Sequence, residues 1–402
     1  MPEDFHAAMS RARDLVRAGK PGEATRVIQT TLSGQPTPDL ATPDLATPDP
    51  TPDPVTRPRA AAGSRPSRAK PRIAPETLPD AEIVAPKSAR PRRPLGDVVT
   101  GLTKGRPKLP PSRAGHASLT LPADARFDWH RIATPQGDRD YRLFIPATLP
   151  EGPQGLVLML HGCTQDPDDF ALGTGMNAHA ETHGLIVAYP AQSRRENAQG
   201  CWNWFRPADQ QRDSGEPAIL AALARTLSAG HAIPPDRIFA AGLSAGGAMA
   251  AILGHTYPDV FSAVAIHSGL AAGSASDVVS AFAAMRGDAR TPDHNASAPR
   301  TITFHGTADA TVHPTNSDRI MASARPAGHA ATLTKGTVNG RAFARSLTTA
   351  PDGTPLTEHW QIEGTGHAWS GGSPAGSYTD PAGPDATALM LAFFLSNPRS
   401  GT

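Results

Sequence analysis

The stretch RIFAAGLSAGG, residues 237–247, decides how the chain is interpreted, because an apolar run gives way there to small residues around one serine. The run up to Gly242 predicts a buried strand, and a helix is predicted to begin near Ala245. Ser244 then lies at a sharp strand-to-helix turn, where strained backbone angles require small neighbours. Gly242 and Gly246 meet that requirement, so the pattern predicts an exposed hydroxyl beside a helix N-terminus.

The pattern G-x-S-x-G also occurs at ordinary turns, so the prediction of a nucleophile depends on finding its partners. The segment TITFHGTADATVHP (301–314) places Asp309 on a loop after an apolar strand, and HWQIEGTGHAWSGG (359–372) places His367 in a glycine-rich loop. A serine nucleophile needs a neutral imidazole to take its proton and a carboxylate to fix the imidazole tautomer. The chain order Ser244, Asp309, His367 is the order of α/β-hydrolases, which predicts a catalytic triad.

Other titratable residues near predicted strand ends compete for these roles. His161 and His305 each precede a glycine in a tight turn, where a histidine more often bonds loop backbone than acts as a base. His313 and Asp318 follow Asp309 closely in the chain. We expect none of these four to replace Asp309 or His367.

The segment LMLHGCTQDPDDF (158–170) follows the predicted third strand, where this fold supplies the second donor of its oxyanion hole. The backbone N–H groups of Cys163 and Ala245 are the predicted pair. A reactive thiol at Cys163 is disfavoured, because no predicted base points at it. Cys163 and Cys201 are the two cysteines of the chain, either as free thiols or as one disulfide. A disulfide would attach the loop that carries Cys163, called the oxyanion loop below, to the aromatic segment GCWNWF (200–205).

Tryptophans flank the predicted catalytic loops. Trp202, Trp204 and Trp369 would together make an apolar cleft for a substrate chain. Each could equally be a core residue. Both interpretations stay open at the level of sequence.

The predicted strands are short apolar runs that end at glycine or proline and alternate with helical stretches such as 216–231. They are GLVLMLHG (155–162), GLIVAYP (184–190), RIFAAG (237–242), FSAVAIHSG (261–269) and TITFHG (301–306). Buried strands that alternate with helices predict a mostly parallel sheet covered on both faces. Residues 126–147 instead predict a leading antiparallel hairpin. This order predicts an α/β-hydrolase domain over residues 117–402.

Residues 34–116 hold 18 of the chain's 42 prolines and have no aromatic residue, which predicts a disordered linker. Its first part is acidic, whereas residues 57–113 carry 14 Lys and Arg against 4 Asp and Glu. A basic segment without interleaved aromatic residues is typical of a solvated tether, so no specific nucleic-acid partner is predicted. Residues 1–33 predict a helical hairpin whose partner the sequence does not identify.

The N-terminal residues are charged throughout and have no apolar core of the length that a signal peptide needs. No window of the sequence is apolar enough for a transmembrane helix. From the sequence alone we expect a cytoplasmic protein without a membrane span.

The motifs LHGCTQ, YPAQS, CWNWF, GLSAGGAM, HGTADATVHP and GTGHAWSGG occur in this order. Together they resemble the polyhydroxybutyrate (PHB) depolymerase family of esterases, which shares the α/β-hydrolase fold with feruloyl and acetylxylan esterases. The resemblance covers residues 125–397. It implies a serine esterase with Ser244, Asp309 and His367 as its triad, a polyester or oligoester of short-chain hydroxyalkanoates as substrate, and no metal or other cofactor. Members of the family are usually exported, so the resemblance implies an extracellular location as the alternative.

Two other function classes stay open. The first is a carbohydrate-ester hydrolase of the acetylxylan or feruloyl esterase type, which these motifs barely separate from a depolymerase. The second is a non-catalytic binding or scaffold protein whose working parts lie before residue 117. The presence of all three triad residues argues against the second class.

Overall fold

The computed structural model describes residues 121–289 and 298–396. The helical hairpin predicted for residues 1–33 and the linker predicted for residues 34–116 lie outside the described residues, so both stay predictions. Within the described ranges, every helix is too short or too polar to span a bilayer.

Ten strands of the described residues are long enough to build a sheet. They are β1 (Arg126–Thr134), β2 (Gly137–Ile145), β3 (Gly155–Leu160), β4 (Leu185–Pro190), β5 (Ile238–Leu243), β6 (Ala263–His267), β7 (Arg300–Gly306), β8 (Thr332–Val338), β9 (Arg341–Thr349) and β10 (Pro355–Ile362). They form one sheet in the order β1-β2-β4-β3-β5-β6-β7-β10-β9-β8. A separate short pair joins β11 (Trp369–Ser370) and β12 (Thr379–Asp380).

The six strands from β4 to β10 in the sheet order run parallel, and the outer strands pair antiparallel. The strands β3, β4, β5 and β6 are buried at every position, as expected for parallel strands covered on both faces. The short apolar runs of the sequence therefore predicted these strands correctly.

Seven α-helices of the described residues accompany the sheet. They are α1 (Pro167–Thr174), α2 (Met176–His183), α3 (Gly215–Gly230), α4 (Ala245–Thr256), α5 (Val278–Met285), α6 (Thr315–Ala324) and α7 (Ala386–Leu395). Alternate residues of β3 point into two different cores, because side chains alternate across a strand. Leu156 and Leu158 pack in the core that contains residues of α3 and α4. Val157 and Met159 pack in the core that contains residues of α2 and α7.

Antiparallel strands extend the sheet at both edges. The leading hairpin of β1 and β2 is paired from Arg126–Ile145 to Thr134–Gly137, which confirms the hairpin predicted for residues 126–147. At the other edge, β8 and β9 add a second hairpin beside β10. The strand β8 has the sequence TLTKGTV and is almost entirely exposed. Its threonines and lysine suit an exposed edge strand, where charged and polar side chains discourage pairing with other chains.

The predicted fold class is confirmed, since helices cover both faces of a mostly parallel sheet. The residues that follow β3, β5, β7 and β10 all emerge at one edge, because these strands are parallel. Open α/β sheets bind ligands at the carboxyl ends of their strands. The same edge carries all the predicted catalytic residues.

Candidate active site

Ser244 forms a strained turn between β5 and α4. Its backbone has φ 58° and ψ −118°, which is an unfavourable conformation for a non-glycine residue. The Ser244 N–H donates to the carbonyl oxygen of His267 at 2.9 Å, which ties the turn to the end of β6. The sequence predicted this turn and its strain correctly.

Gly242 and Gly246 are the small neighbours that the strained turn was predicted to require. Neither has a positive φ, so the strained angles belong to Ser244 alone. A Cβ on Gly242 would lie 2.3 Å from the carbonyl carbon of Gly246, and a Cβ on Gly246 would lie 2.0 Å from the carbonyl oxygen of Leu160. The two glycines therefore allow α4 to start in direct backbone contact with the neighbouring strands.

Asp309 and His367 form a direct hydrogen bond, with 2.7 Å between His367 Nδ1 and Asp309 Oδ2. The other carboxylate oxygen, Oδ1, accepts the backbone N–H groups of Thr311 and Val312 at 2.9 Å each. Burial alone would raise the pKa of the Asp309 carboxyl, but His305, His367 and these amides together hold it well below its usual range. Asp309 is therefore a buried carboxylate that keeps its charge.

The loops that carry Asp309 and His367 are packed against each other. The Ala308 N–H donates to the carbonyl oxygen of Thr365, and the Thr307 hydroxyl accepts the N–H of Gly364. A Cβ on Gly306 would lie 2.1 Å from the Thr365 oxygen, so only glycine allows this approach. The two loops therefore position the imidazole and the carboxylate as one unit.

His267 connects this unit to the serine turn. Its backbone oxygen holds the Ser244 N–H, while its ring Nε2 accepts the N–H of Ser370, three residues after His367. The ring stacks on Trp369 with 5.1 Å between centroids. Burial lowers the pKa of His267 to about 3, so the ring is a neutral acceptor at ordinary pH. His267 was not among the residues predicted for the site.

The second hydrogen bond of the predicted triad, between Ser244 and His367, is not formed in this structure. Among the described residues, the Ser244 hydroxyl has no hydrogen bond to His367. Such contacts are often long in ligand-free hydrolases and tighten when substrate binds. The structure thus joins Asp309 to His367 by a hydrogen bond. It links Ser244 to the loop that carries His367 through His267. The direct contact between Ser244 and His367 stays a prediction.

The N–H groups of both predicted oxyanion donors have no hydrogen-bond acceptor among the described residues. Ala245 is the first residue of α4, where a helix N–H has no partner within its own helix. The Cys163 N–H also lacks a partner among the described residues, although its neighbours Gly162, Thr164 and Gln165 all donate theirs. Unpaired amides are what an oxyanion hole needs as donors, and the assignment of Cys163 and Ala245 to it stays a prediction.

Three contacts hold the oxyanion loop against the segment 199–202. Cys163 and Cys201 form a disulfide, with 4.2 Å between their Cα atoms. The Trp202 Nε1–H donates to the carbonyl oxygen of His161, and the Thr164 N–H donates to that of Gln199. Of the two alternatives for the cysteines, the structure contains the disulfide, which pins this loop.

The three tryptophans are core residues rather than the walls of an open cleft. Trp202 is 0% exposed, Trp204 6% and Trp369 1%. The Trp369 Nε1–H donates to the Thr387 hydroxyl, so its polar edge is satisfied inside the protein. The prediction that these residues line an open cleft is therefore wrong. Their rings point into the protein and pack beneath the catalytic loops.

The competing histidines His161 and His305 bond to the backbone of loops. His161 contacts the carbonyl oxygen of Gly162 at 2.8 Å through Nδ1 and accepts the Gln192 N–H through Nε2. His305 Nε2 lies 2.8 Å from the carbonyl oxygen of Val312. His161 behaves as predicted for a histidine in a tight turn, whereas His305 Nε2 also lies 3.4 Å from Asp309 Oδ2, the oxygen that contacts His367.

Neither His313 nor Asp318 forms a hydrogen bond with Asp309 or His367 among the described contacts. His313 Nδ1 contacts the hydroxyl of Thr315. The side chain of Asp318 is 56% exposed and lies 4.0 Å from His359. Neither residue replaces Asp309 or His367 in the geometry.

Tyr378 lies beside the Asp309–His367 pair, although its role was not predicted from the sequence. Its ring packs edge-on against the imidazole of His367, with 6.4 Å between centroids, and it is 43% exposed. Its hydroxyl lies 3.2 Å from that of Thr164, next to the predicted oxyanion donor Cys163. The glycine-rich segment that contains Tyr378 gives no local signal for this position.

A family model described as Esterase PHB depolymerase matches residues 139–343, which is half of the chain. The match includes Ser244 and Asp309 and ends before His367. Among curated proteins, poly(3-hydroxyalkanoate) depolymerase C of Paucimonas lemoignei is 33% identical over 239 residues, or 56% of each chain. Poly(3-hydroxybutyrate) depolymerase of Ralstonia pickettii is 34% identical over 130 residues, which cover 30% of this chain and 26% of that protein. The chain thus spans about half, or less, of the length of these relatives.

Carbohydrate esterases are also similar to this chain. A probable acetylxylan esterase A of Aspergillus flavus is 28% identical over 193 residues, covering 43% of this chain and 62% of that protein. Among solved structures, an acetyl xylan esterase from Aspergillus awamori superposes with a TM-score of 0.50 and 18% identity, over 67% of this chain and 100% of the other. At that identity the structural likeness concerns the α/β-hydrolase fold alone.

Proposed function

This chain belongs to the esterase PHB depolymerase family, and from that premise we propose that it is a serine esterase that hydrolyses short-chain polyhydroxyalkanoates. Its substrates would be poly(3-hydroxybutyrate) or its oligomers. The relatives whose names specify such polyesters are 33% and 34% identical to it. In this proposal Ser244 is the nucleophile, His367 the general base and Asp309 the residue that orients the base.

The observation that carries the proposal is the 2.7 Å hydrogen bond between His367 Nδ1 and Asp309 Oδ2, on loops tied to the strained Ser244 turn. This bond keeps the proton of the neutral imidazole on Nδ1. The other nitrogen, Nε2, is then free to take a proton from a serine hydroxyl. A charged Asp309 also stabilises the imidazolium that forms.

The first half-reaction makes an acyl-enzyme. Ser244 Oγ attacks the ester carbonyl while its proton passes to His367 Nε2. The negative charge that develops on the carbonyl oxygen is stabilised by the N–H groups of Cys163 and Ala245, which have no other partner among the described residues. The C–O bond to the alcohol then breaks, and His367 returns its proton to the departing alkoxide.

The second half-reaction repeats the same chemistry with water. His367 removes a proton from water, which attacks the acyl-enzyme carbonyl, and the same two amides hold the oxyanion. The bond between Ser244 Oγ and the acyl carbon breaks, and the proton from His367 restores the serine hydroxyl. The products are one hydroxyalkanoic acid and one shortened chain or alcohol.

A carbohydrate-ester hydrolase is the second candidate, because a relative named as an acetylxylan esterase is 28% identical over 193 residues. Both reactions use the same triad and oxyanion donors, so the chemistry does not separate them. The depolymerase is preferred because the family model and the two more similar relatives are named for it.

A release assay tests the proposal against this alternative. The full chain is incubated with 3-hydroxybutyrate oligomers and, separately, with acetylated xylan, and the released acids are quantified. We expect 3-hydroxybutyrate release to exceed acetate release at least about tenfold in kcat/KM, and Ser244→Ala to abolish both. Acetate release that exceeds hydroxybutyrate release would instead identify a carbohydrate esterase. Activity retained by Ser244→Ala would contradict the assignment of the nucleophile.

The disulfide is informative about the cellular location of the protein. Structural disulfides persist in oxidising compartments and are rare in the cytosol. The Cys163–Cys201 bridge therefore favours the extracellular location over the cytoplasmic one. Alkylation of free thiols in protein from its native host tests this, because both cysteines should resist labelling until a reductant is added.

A further inference from the structure

Two exposed side chains meet beside His367. Tyr378 approaches from the loop between β11 and β12, and Thr164 from the oxyanion loop, with 3.2 Å between their hydroxyl oxygens. Both have positive φ, 52° for Tyr378 and 67° for Thr164, which is uncommon for residues other than glycine. We call this pair the Thr164–Tyr378 bridge.

A buried polar network holds the two loops together beneath the bridge. Gln165 accepts the Gly162 N–H at 2.9 Å and donates to Asp169 Oδ2 at 3.0 Å. Asp169 Oδ1 accepts the Ser377 N–H at 2.8 Å, and Asp169 Oδ2 also accepts the Ser377 hydroxyl. Because Gln165 and Asp169 are buried, this network fixes both ends of the bridge from inside the protein.

The Tyr378 backbone is fixed from the other side as well. Its carbonyl oxygen accepts the Trp369 N–H at 2.7 Å, where β11 pairs with β12. Trp369 itself is fully buried two residues after His367. The phenol ring is therefore a rigid exposed surface beside the imidazole, although no core packing requires an aromatic side chain at a position that is 43% exposed.

We propose that Tyr378 is a specificity-determining residue that contacts the alcohol part of the ester, and that Thr164 fixes the orientation of its ring. This inference rests on the proposed function, because it assigns a substrate contact at the same site. Thr164 follows the oxyanion donor Cys163, and the Tyr378 ring lies against His367, which must protonate the departing alkoxide.

The chemistry of the ring suits a hydroxyalkanoate unit. Its apolar face can pack on the methyl and methylene groups of the unit that leaves as the alcohol, at little cost in conformational entropy. A methyl ester has no such unit, so the ring has little to contact. Tyr378 should therefore discriminate between alcohols and act weakly on the acyl part.

The test keeps the acyl group constant and changes the alcohol. The substrates are the linear dimer of 3-hydroxybutyrate and methyl 3-hydroxybutyrate, which give the same acyl-enzyme. Tyr378→Ala should lower kcat/KM for the dimer about tenfold, mainly through KM. For the methyl ester it should change kcat/KM less than about twofold.

Two milder variants test the role of the hydroxyl pair. Tyr378→Phe and Thr164→Val each remove the hydrogen bond and keep the ring, so each should lower kcat/KM for the dimer about threefold. The double variant should be no worse than either single variant, because both remove the same bond. Trp129→Ala is the matched control, since Trp129 is an exposed aromatic residue on β1, and it should leave both substrates unaffected.

The outcomes separate this inference from the proposed function. Equal losses for the two esters in Tyr378→Ala, or no loss for either, would overturn the role of Tyr378 alone. If Tyr378→Ala does not fold, the same comparison of dimer and methyl ester in Tyr378→Phe decides. A wild-type chain that hydrolyses neither ester would overturn the proposed function and this inference with it.

Discussion

The two halves of the candidate site are built in different ways. The nucleophile half, around Ser244, depends on backbone geometry. Ser244 is strained at the end of β5, and a Cβ on Gly242 or Gly246 would lie only 2.0 to 2.3 Å from a neighbouring backbone atom. The acid–base half, around Asp309 and His367, is built from side-chain hydrogen bonds between two loops. Substitutions of the glycines in the first half should therefore disturb folding, whereas substitutions in the second half should disturb chemistry.

The strongest test of the backbone half is Gly246→Ala. The new Cβ would lie 2.0 Å from the Leu160 oxygen and 2.6 Å from the His161 oxygen, and neither backbone atom can move without separating α4 from β3. We expect a loss of at least about 3 kcal/mol in the free energy of unfolding, measured by urea denaturation, or no folded protein at all. Gly230→Ala is the control, because open space surrounds Gly230 at the end of α3. Wild-type stability in Gly246→Ala would show that the turn does not need this glycine.

The matching test of the acid–base half is Asp309→Asn. The asparagine oxygen can still accept the N–H groups of Thr311 and Val312, but its amide cannot accept the proton on His367 Nδ1. We expect kcat/KM to fall about a thousandfold or more, while the unfolding midpoint changes far less than in Gly246→Ala. Asp318→Asn is the control and should keep nearly full activity. If instead Asp318→Asn were inactive and Asp309→Asn active, the assignment of the carboxylate would be wrong.

The disulfide tests whether the oxyanion loop belongs with the backbone half. It closes a loop with a sequence separation of 38, so Cys201→Ser should cost about 2–4 kcal/mol of stability. Because the bridge positions Cys163, kcat for a small ester should fall more than KM changes. Wild-type protein treated with a reductant should reproduce both effects, and the variant should be insensitive to the reductant. Unchanged activity after complete reduction would mean that the hydrogen bonds from Trp202 to His161 and from Thr164 to Gln199 position the oxyanion loop without the disulfide.

The pH dependence of stability sharpens the comparison at His267, which connects the two halves. Burial lowers the pKa of His267 to about 3 and that of His359 to about 4, and it also lowers the pKa of His161. Below about pH 6.5 the unfolded chain binds protons at these positions while the folded protein does not. The stability that these histidines contribute is therefore complete above that pH. It is lost as the pH falls toward their pKa values in the folded protein.

His267, whose folded pKa is about 3, should contribute a slope approaching about 1.4 kcal/mol per pH unit between about pH 6 and 4. Urea denaturation of His267→Phe across this range should give a slope that is smaller than that of wild type by about this amount. His183→Gln, at an exposed histidine of α2, is the control and should keep the wild-type slope. An unchanged slope in His267→Phe would mean that the imidazole is protonated in the folded state.

The sequence predicted the parts of the molecule whose signals are local. Short apolar runs identified the parallel strands, and the spacing of small residues around Ser244 identified the turn. The chain order of Ser244, Asp309 and His367 identified residues that emerge at one edge of the sheet. These predictions succeed because strand burial and a tight turn each restrict residue types at adjacent positions.

The predictions that failed, and the features that were missed, depend on contacts between distant segments. Trp202 and Trp369 lie beside catalytic loops in the sequence, but the direction in which their rings point depends on partners such as His161 and Thr387. Tyr378 reaches the site because Ser377 bonds to Asp169, more than 200 residues earlier. The hairpin of β8 and β9 was missed because its first strand, TLTKGTV, is polar and contains glycine, like a loop.

The central claim is that Ser244, His367 and Asp309 act as one acyl-transfer site with the amides of Cys163 and Ala245. The most direct measurement is a crystal structure of the full chain after reaction with a fluorophosphonate. The account predicts phosphorus bonded to Ser244 Oγ, a phosphonyl oxygen about 3 Å from both amide nitrogens, and His367 Nε2 within hydrogen-bond distance of Ser244 Oγ. An adduct on another residue, or an imidazole of His367 that stays remote from Ser244 in the adduct, would contradict it.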